Sequence, residues 1–362
     1  MSNILIISHR SGPYHYARIN MLKTRDEIAS IVSADLGSGG DIYRWKSENK
    51  SDHYFLSKRG ATENDIFTRI NRLIRILRSN DIDTVFLPGF GSRDLALICI
   101  ILRLLNYRIF TFYESWYPNV YLDRLKSIFL RSVFTGFFVS GSRAKAYLVN
   151  LGISDFKIIE GYSCIDVSHF NHVRSKEVVT ALSHSPVLLC VARLSDEKNL
   201  KRLITAFKMS ELSVNWRLQI IGSGPSELVL KQLAANEERV EILEWIQYDT
   251  LPNYYQKASA FILPSVFEPW GLVVNEAMAS SLPILVSRMC GCCPDLLKEN
   301  GMDFDPFSID AIKNALNSLN AKSPVDLYHL GLRSREIIGY FTLNVWADNM
   351  VKILEIDEAN IC

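Results

Sequence analysis

Residues Phe261–Ser287 read FILPSVFEPWGLVVNEAMASSLPILVS. The short apolar run Phe261–Leu263 predicts a buried strand, and Pro264–Trp270 a loop. Gly271–Ser280 then predicts a helix and Ile284–Ser287 a second strand. Glu268 falls in the loop and Glu276 on the helix, eight positions later. Backbone N–H groups near Gly271 and Leu272 lack intrahelical partners at the helix start, which suits an anion. An anion at a helix end, with carboxylates to grip hydroxyls, suits a sugar attached to a phosphate.

The same alternation extends outward on both sides. In the second half, Val187–Ala192, Arg217–Ile221 and Val240–Leu243 read as strands. Helices are predicted at Asn199–Met209, Ser226–Ala235 and Leu251–Lys257. In the first half, Asn3–Ser8, Ser30–Ala34, Thr84–Leu87, Arg108–Tyr113 and Val133–Val139 read as strands. Tyr14–Lys23, Ile66–Ser79, Leu95–Leu105 and Ser142–Asn150 read as helices. Strands and helices alternating at these lengths indicate α/β sheets wound on both faces. Asp166–Ser185 is polar and without periodicity. The predicted division is therefore a Rossmann-like domain over 1–168, a linker over 169–185 and a second Rossmann-like domain over 186–342. The amphipathic terminal helix, within 343–362, is expected to pack back on the first domain. Two such domains would face each other across a cleft, with ligands beyond the carboxyl ends of the strands.

The length of 362 residues fits two domains, and 48% hydrophobic with 22% charged residues fits filled cores. Net charge is +1 but unevenly spread: residues 1–175 hold 23 Lys and Arg against 16 Asp and Glu, and the rest hold 17 against 23. The basic half points to an anionic partner, and an anionic membrane surface is preferred over nucleic acid, which is not expected. Of seven cysteines, Cys99, Cys164, Cys190 and Cys362 have no near neighbour, favouring a reducing compartment over a disulfide framework. Met1–Arg10 turns polar too quickly for a signal peptide, and no apolar run reaches ~18 residues. The expected location is the cytoplasm, peripheral on the inner face of the membrane.

Several residues are candidates for chemistry. Arg193 and Lys198 follow a strand and can straddle a diphosphate, the first as a fork and the second as a point charge; a solvated turn is the plain alternative. Gly222-Ser223-Gly224-Pro225 also follows a strand. It is a partial glycine fingerprint, because Glu227 stands where a third glycine is needed. It is either a tight turn or a close backbone approach to a base or phosphate. Glu268 and Glu276 read as hydroxyl binders, as an acid and nucleophile pair of a glycosidase, or as surface charges. Glu114 ends the strand Arg108–Tyr113 with Trp116 and Tyr117 beside it, like a carbohydrate subsite or an aromatic domain edge. Gly12 permits close approach to a ligand, and His9 and His15 are candidate proton or phosphate contacts. Cys290, Cys292 and Cys293 lack a fourth zinc ligand and read as small buried hydrophobes. Asp81 and Asp83 precede their strand, the wrong end for a ligand, while Asp303 and Asp305 are expected to shape a loop. Arg69, Arg72, Arg75 and Arg78, with Arg124, Lys126 and Arg131, read either as a membrane-facing basic surface or as solvated faces of packed helices.

Taken in order, FEPWGLVVNEAMA resembles the E-x7-E motif of the retaining GT-B glycosyltransferases of the group 1 family. ARLSDEKNL resembles that family's arginine–lysine segment and IIGSGP its glycine turn. YQKASAFILPS is similar to the strand before the motif, and GYSCIDVSHF to the segment closing the first domain. VSRMCGCCPDLL stands where the family has paired glycines and an acidic residue. The resemblance implies transfer of a sugar from a nucleotide-sugar donor, most often a UDP-sugar, with retained configuration. It implies no metal and no cofactor. Arg193 and Lys198 would hold the diphosphate and stabilise the leaving group, and Glu268 would bind donor-sugar hydroxyls. Glu276 would bind the ribose, while the backbone over Trp270, Gly271 and Leu272 would contact sugar and phosphate. Gly12, Gly222, Ser223 and Gly224 complete the implied donor site. His15, Tyr113, Glu114 and Trp116 are assigned to a saccharide or lipid-linked acceptor. The chain departs from the family where a histidine is replaced by Tyr113-Glu114, and where paired glycines are reduced to Gly12. The rival readings are a glycoside phosphorylase or hydrolase, a non-catalytic nucleotide-sugar or carbohydrate binder on the same fold, and a dinucleotide oxidoreductase, the last disfavoured by the incomplete glycine fingerprint.

Overall fold

The computed structural model describes residues 1–37, 52–57, 66–118, 122–212 and 214–356. The chain divides into two compact units, Met1–Cys164 with Leu343–Cys362, and Ile165–Thr342.

The first unit begins β1 (Ser2–Ser8), α1 (Pro13–Leu22), β2 (Ile28–Asp35), β3 (His53–Phe55) and α2 (Ile66–Ser79). It continues β4 (Thr84–Leu87), α3 (Arg93–Leu104), β5 (Arg108–Tyr113), α4 (Asp123–Val133), β6 (Gly136–Val139), α5 (Ser142–Asn150) and β7 (Ile158–Glu160). Among the described residues these strands form a parallel sheet ordered β3-β2-β1-β4-β5-β6-β7. The strands are near-continuous apolar runs because both faces are covered. One face packs on α2 to α5 through Leu73, Leu77, Ile98, Leu102, Leu130 and Leu148. The other carries Ile4, Ile6, Phe86 and Phe110.

The second unit holds α6 (Lys176–Leu182), β8 (Val187–Val191), α7 (Leu200–Met209), β9 (Arg217–Ile221), α8 (Glu227–Ala234), β10 (Val240–Leu243) and α9 (Pro252–Lys257). It continues β11 (Ala260–Leu263), α10 (Leu272–Ala279), β12 (Ile284–Ser287), α11 (Cys293–Leu296), β13 (Gly301–Phe304), α12 (Ile309–Asn320) and α13 (Pro324–Ile338). Its parallel sheet runs β10-β9-β8-β11-β12-β13. The chain then returns to the first unit with α14 (Leu343–Leu354), which packs against α1, β6 and β7. Trp346, Met350 and Ile353 fill the face of the first sheet that carries Ile4 and Phe110. Arg108 fastens the end of the helix by donating to the Leu354 and Ile356 carbonyls.

Several expectations are revised by this structure. The polar stretch 169–185 lies inside the second unit and contains α6, which packs on α13. β6 starts at Gly136, because α4 runs on through Val133. Asp303 is on strand β13, paired with Arg288 at 2.5 Å, while Asp305 accepts from the Phe307 N–H and does shape a loop. Arg69 leaves the predicted basic face: it is buried and paired with Asp94 of α3 at 2.6 Å. Cys362 lies outside the described residues; the other six cysteines are buried and take part in no disulfide.

Candidate functional site

β8 and β11 are adjacent parallel strands, so their carboxyl ends lie together. After β8 the chain enters one 3-10 turn, Asp196–Lys198, closed by Asn199 in the left-handed conformation with φ 58°. The buried Asn199 amide donates to the carbonyls of Pro264 at 3.0 Å and Pro306 at 2.8 Å. The Val266 N–H donates to the Glu197 carbonyl at 2.9 Å. These bonds staple the loop after β8 to the loop after β11. As a result Lys198 Nζ meets the carboxylate of Glu268, 70 positions away in sequence. Ser265 Oγ donates to the same carboxylate oxygen at 3.3 Å. Only 14% of the Lys198 side chain and 11% of the Glu268 side chain reach solvent. Charges this far out of water are held there by each other and by hydrogen bonds.

Arg193 is more open, with 40% of its side chain exposed, and pairs with Glu197 at 2.5 Å. Ser195 Oγ donates to the same Glu197 oxygen at 2.7 Å. Burial pushes the Glu197 carboxyl up, but the hydrogen bonds from Ser195 and a backbone N–H, with the charges of Arg193 and Lys198, outweigh it. The net effect keeps this carboxyl below its ordinary range.

The loop bearing Glu268 is braced from the β12 side. The Gly291 N–H donates to the Glu268 carbonyl at 2.9 Å, and the Cys292 N–H to the Trp270 carbonyl at 3.3 Å. The cysteine cluster thus acts through its backbone. Burial pushes the thiols of Cys290 and Cys292 well above their ordinary range, so they stay protonated. Among the described residues no group of three or more His, Cys, Asp and Glu is placed to hold a metal ion. Trp270 is itself buried, its Nε1 donating to Asn275 Oδ1 at 2.9 Å. Gly271 turns the chain into α10 at φ 104°, a left-handed value that an L side chain rarely adopts. Helix α10 is buried nearly all round, and Glu276 on it is fully buried, accepting from the Tyr255 hydroxyl at 2.6 Å. Glu268 and Glu276 therefore have separate partners, a lysine and a tyrosine.

The glycine turn after β9 serves an internal approach. A Cβ on Gly222 would stand 1.9 Å from the Ala192 carbonyl oxygen. The Leu194 N–H donates to the Ser223 carbonyl at 2.9 Å, and the Ser226 N–H to the Leu194 carbonyl at 2.8 Å. Gly222, Ser223 and Gly224 thus fasten the segment that carries Arg193.

In the first unit, Ser11 donates through its N–H and Oγ to one oxygen of buried Asp35, at 2.9 and 2.6 Å. His53 Nε2 lies 3.4 Å from the other oxygen. Burial would raise the Asp35 carboxyl, but the hydrogen bonds from His53 and Ser11 prevail and lower it. The Gly12 N–H donates to His15 Nδ1 at 3.2 Å, so this ring caps α1. Burial first, then the charge of Arg18, pushes the His15 imidazole down to about 4, and it is neutral at pH 7. Burial lowers His9 likewise. Tyr113 is buried, with the Lys126 ammonium 5.4 Å from its ring centroid. Glu114 accepts from Ser163 Oγ at 3.2 Å. Trp116 stacks on Tyr117 at 4.1 Å and takes the Arg143 guanidinium at 4.4 Å.

Sequence reasoning passed over Asp35, Glu197, Asn199 and Tyr255. Asp35 had a signal, an acid ending an apolar strand, and so did Glu197, four residues from Arg193. Nothing in sequence links Tyr255 to Glu276.

The fold and these strand-end charges define a class of protein that known relatives make specific. Residues 174–329 match the family of glycosyl transferases group 1. This segment, which makes up most of the second unit, is thus similar to a group 1 glycosyltransferase domain. A sulfoquinovosyl transferase of Arabidopsis thaliana is 32% identical over 166 residues, which cover 43% of this chain and 31% of that protein. The chain spans well under half the length of the curated relatives it matches. Among solved structures, the sucrose-phosphate synthase of Thermosynechococcus elongatus superposes with a TM-score of 0.76 at 17% identity, covering 98% of both chains. Anabaena HepE in complex with UDP and glucose gives 0.74 at 13% identity, covering 98% of this chain and 99% of that one. At these identities the likeness is one of fold alone, and the fold is GT-B-like.

Proposed function

We propose that the chain is a retaining, metal-independent glycosyltransferase that moves a sugar from a nucleotide-sugar, a UDP-sugar first among them, to a saccharide or lipid-linked acceptor. The observation that carries this reading is the Lys198–Glu268 pair, brought together at the carboxyl ends of β8 and β11. Open α/β sheets bind ligands at that end of their strands. A lysine beside a carboxylate offers one group to a phosphate and one to sugar hydroxyls. Arg193, more exposed, adds a forked donor for the diphosphate. Lys198 and Arg193 then stabilise charge on the departing nucleotide in place of a metal. Glu268 takes the donor-sugar hydroxyls, and the Trp270–Leu272 backbone faces sugar and phosphate. Glu276, whose carboxylate accepts from the Tyr255 hydroxyl, is assigned to the ribose hydroxyls. The Gly222–Gly224 turn completes the donor site within the second unit. The acceptor is assigned to His15, Tyr113, Glu114 and Trp116. The HepE structures with UDP and UDP-glucose support the choice of nucleotide by analogy of fold.

A thermal-shift panel of UDP-, GDP- and ADP-sugars tests the donor, since a ligand of the native state raises its stability by mass action. A UDP-sugar should give the largest rise, together with nucleotide release. A rise without any turnover would favour a non-catalytic binder, and sugar release without a nucleotide would favour a hydrolase.

A further inference from the structure

Helices α3 and α4 pack as neighbours on one face of the first sheet, and α2 joins them through the Arg69–Asp94 pair. Helix α3 is apolar on two opposite sides. Leu95, Ile98, Cys99 and Leu102 are buried against the sheet. Leu97, Ile100 and Leu104 are 41%, 42% and 76% exposed. At about 100° per residue these three lie on the side directly opposite the buried stripe. Helix α4 repeats the pattern: Leu130 and Val133 are buried, while Leu125 and Ile128 are 68% and 59% exposed. A helix lying on a sheet needs one apolar stripe, and a second one facing water marks a surface that is covered in use.

Charge decides what covers it. The three helices carry nine Lys and Arg against two Asp. Both aspartates are engaged within the unit, Asp94 by Arg69 at 2.6 Å and Asp123 by the Tyr147 hydroxyl at 2.6 Å. Arg75, Arg78, Arg93, Arg124 and Arg131 are exposed. A second copy of this face would set like charges against each other. Anionic headgroups match the arginines, and the boundary of the acyl region accepts the leucines and isoleucines. Among the described residues no helix is long and apolar enough to cross a membrane.

We propose that the outer face of α3 and α4, flanked by α2, docks on a bilayer containing anionic lipids. The proposal uses none of the donor-site residues and stands whether or not the donor assignment holds. The test is co-sedimentation of the full chain with vesicles of phosphatidylcholine, alone or with phosphatidylglycerol in equal parts. The chain should bind the anionic vesicles and be released by salt. Leu125→Ser combined with Ile128→Ser should weaken binding by at least about tenfold. Arg124→Gln and Arg131→Gln should each weaken it roughly fivefold and flatten the salt dependence. Both sets of variants should keep the wild-type unfolding temperature, because the altered side chains face solvent. Absence of binding, equal binding to both kinds of vesicle, or binding unchanged in both sets would overturn the proposal. So would a loss of self-association in the leucine variants, which would make the face a contact between copies.

Discussion

Lys198 and Arg193 differ in burial, and that difference separates their effects on stability from their effects on turnover. Lys198→Ala leaves the Glu268 carboxylate mostly buried without its cation, which should cost about 3 kcal/mol of stability by urea unfolding. Arg193→Ala removes a half-exposed ion pair and should change stability by less than about 1 kcal/mol. On the proposed diphosphate assignment each variant loses a charge-assisted phosphate contact of about 1.5–3 kcal/mol, so turnover should fall roughly ten- to a hundredfold in both. A stable Arg193→Ala protein with unchanged turnover would remove Arg193 from the diphosphate site. His15 gives a pH signature of its own. Its folded value of about 4 lies below the ordinary 6.5, so the unfolded chain takes up the proton first as pH falls. The stability it contributes is complete above pH 6.5 and is lost as pH falls from there toward 4. The loss should be on the order of 3 kcal/mol, and His15→Gln should flatten the slope of the urea midpoint over that range. Asp35 acts in the same sense lower down, its share being lost only below the ordinary carboxylate range.

At the scale of elements, the loops that place charge are fixed by close backbone packing. Gly222 lies against Ala192, so Gly222→Ala should force the turn away from the Arg193 segment and cost about 1–3 kcal/mol. Thermal unfolding reads the cost, and a weakened nucleotide-sugar affinity would show that the turn positions Arg193. The strands of the second unit are legible because β8, β9 and β11 are short apolar runs ending at Gly, Pro or charged residues. Helix α13 is hard to read because Gly331 and Ser334 sit on its buried side and interrupt the apolar stripe. Gly331 is there for close packing: a Cβ would stand 2.3 Å from the Ser281 carbonyl oxygen. β3 and β7 are three residues each, too short to show a period. The Lys198–Glu268 pair is legible only as two separate motifs. Their meeting depends on β8 and β11 being neighbours, a topological fact with no local trace in the chain.

For the molecule as a whole, the first unit is closed by the last helix of the chain. Trp346 is buried against Phe138, with ring centroids 5.8 Å apart. Trp346→Ala should destabilise the first unit by about 3–5 kcal/mol. Calorimetry should show that transition moving down while a transition raised by nucleotide-sugar stays in place. A single transition that shifts as one would show the two units unfolding together. The apolar period of α14 is legible in sequence, whereas the uneven charge of the two halves suggests a partner without locating its face. That face emerges only once the buried and exposed stripes of α3 and α4 are separated. The most direct measurement of the central claim is release of UDP from a UDP-sugar in the presence of a metal chelator, by the wild-type chain and by Lys198→Ala. Release should proceed with the chelator present and fall at least about tenfold in the variant. Equal release by both proteins, or no release from any UDP-sugar, would contradict a donor site built on Lys198 and Glu268.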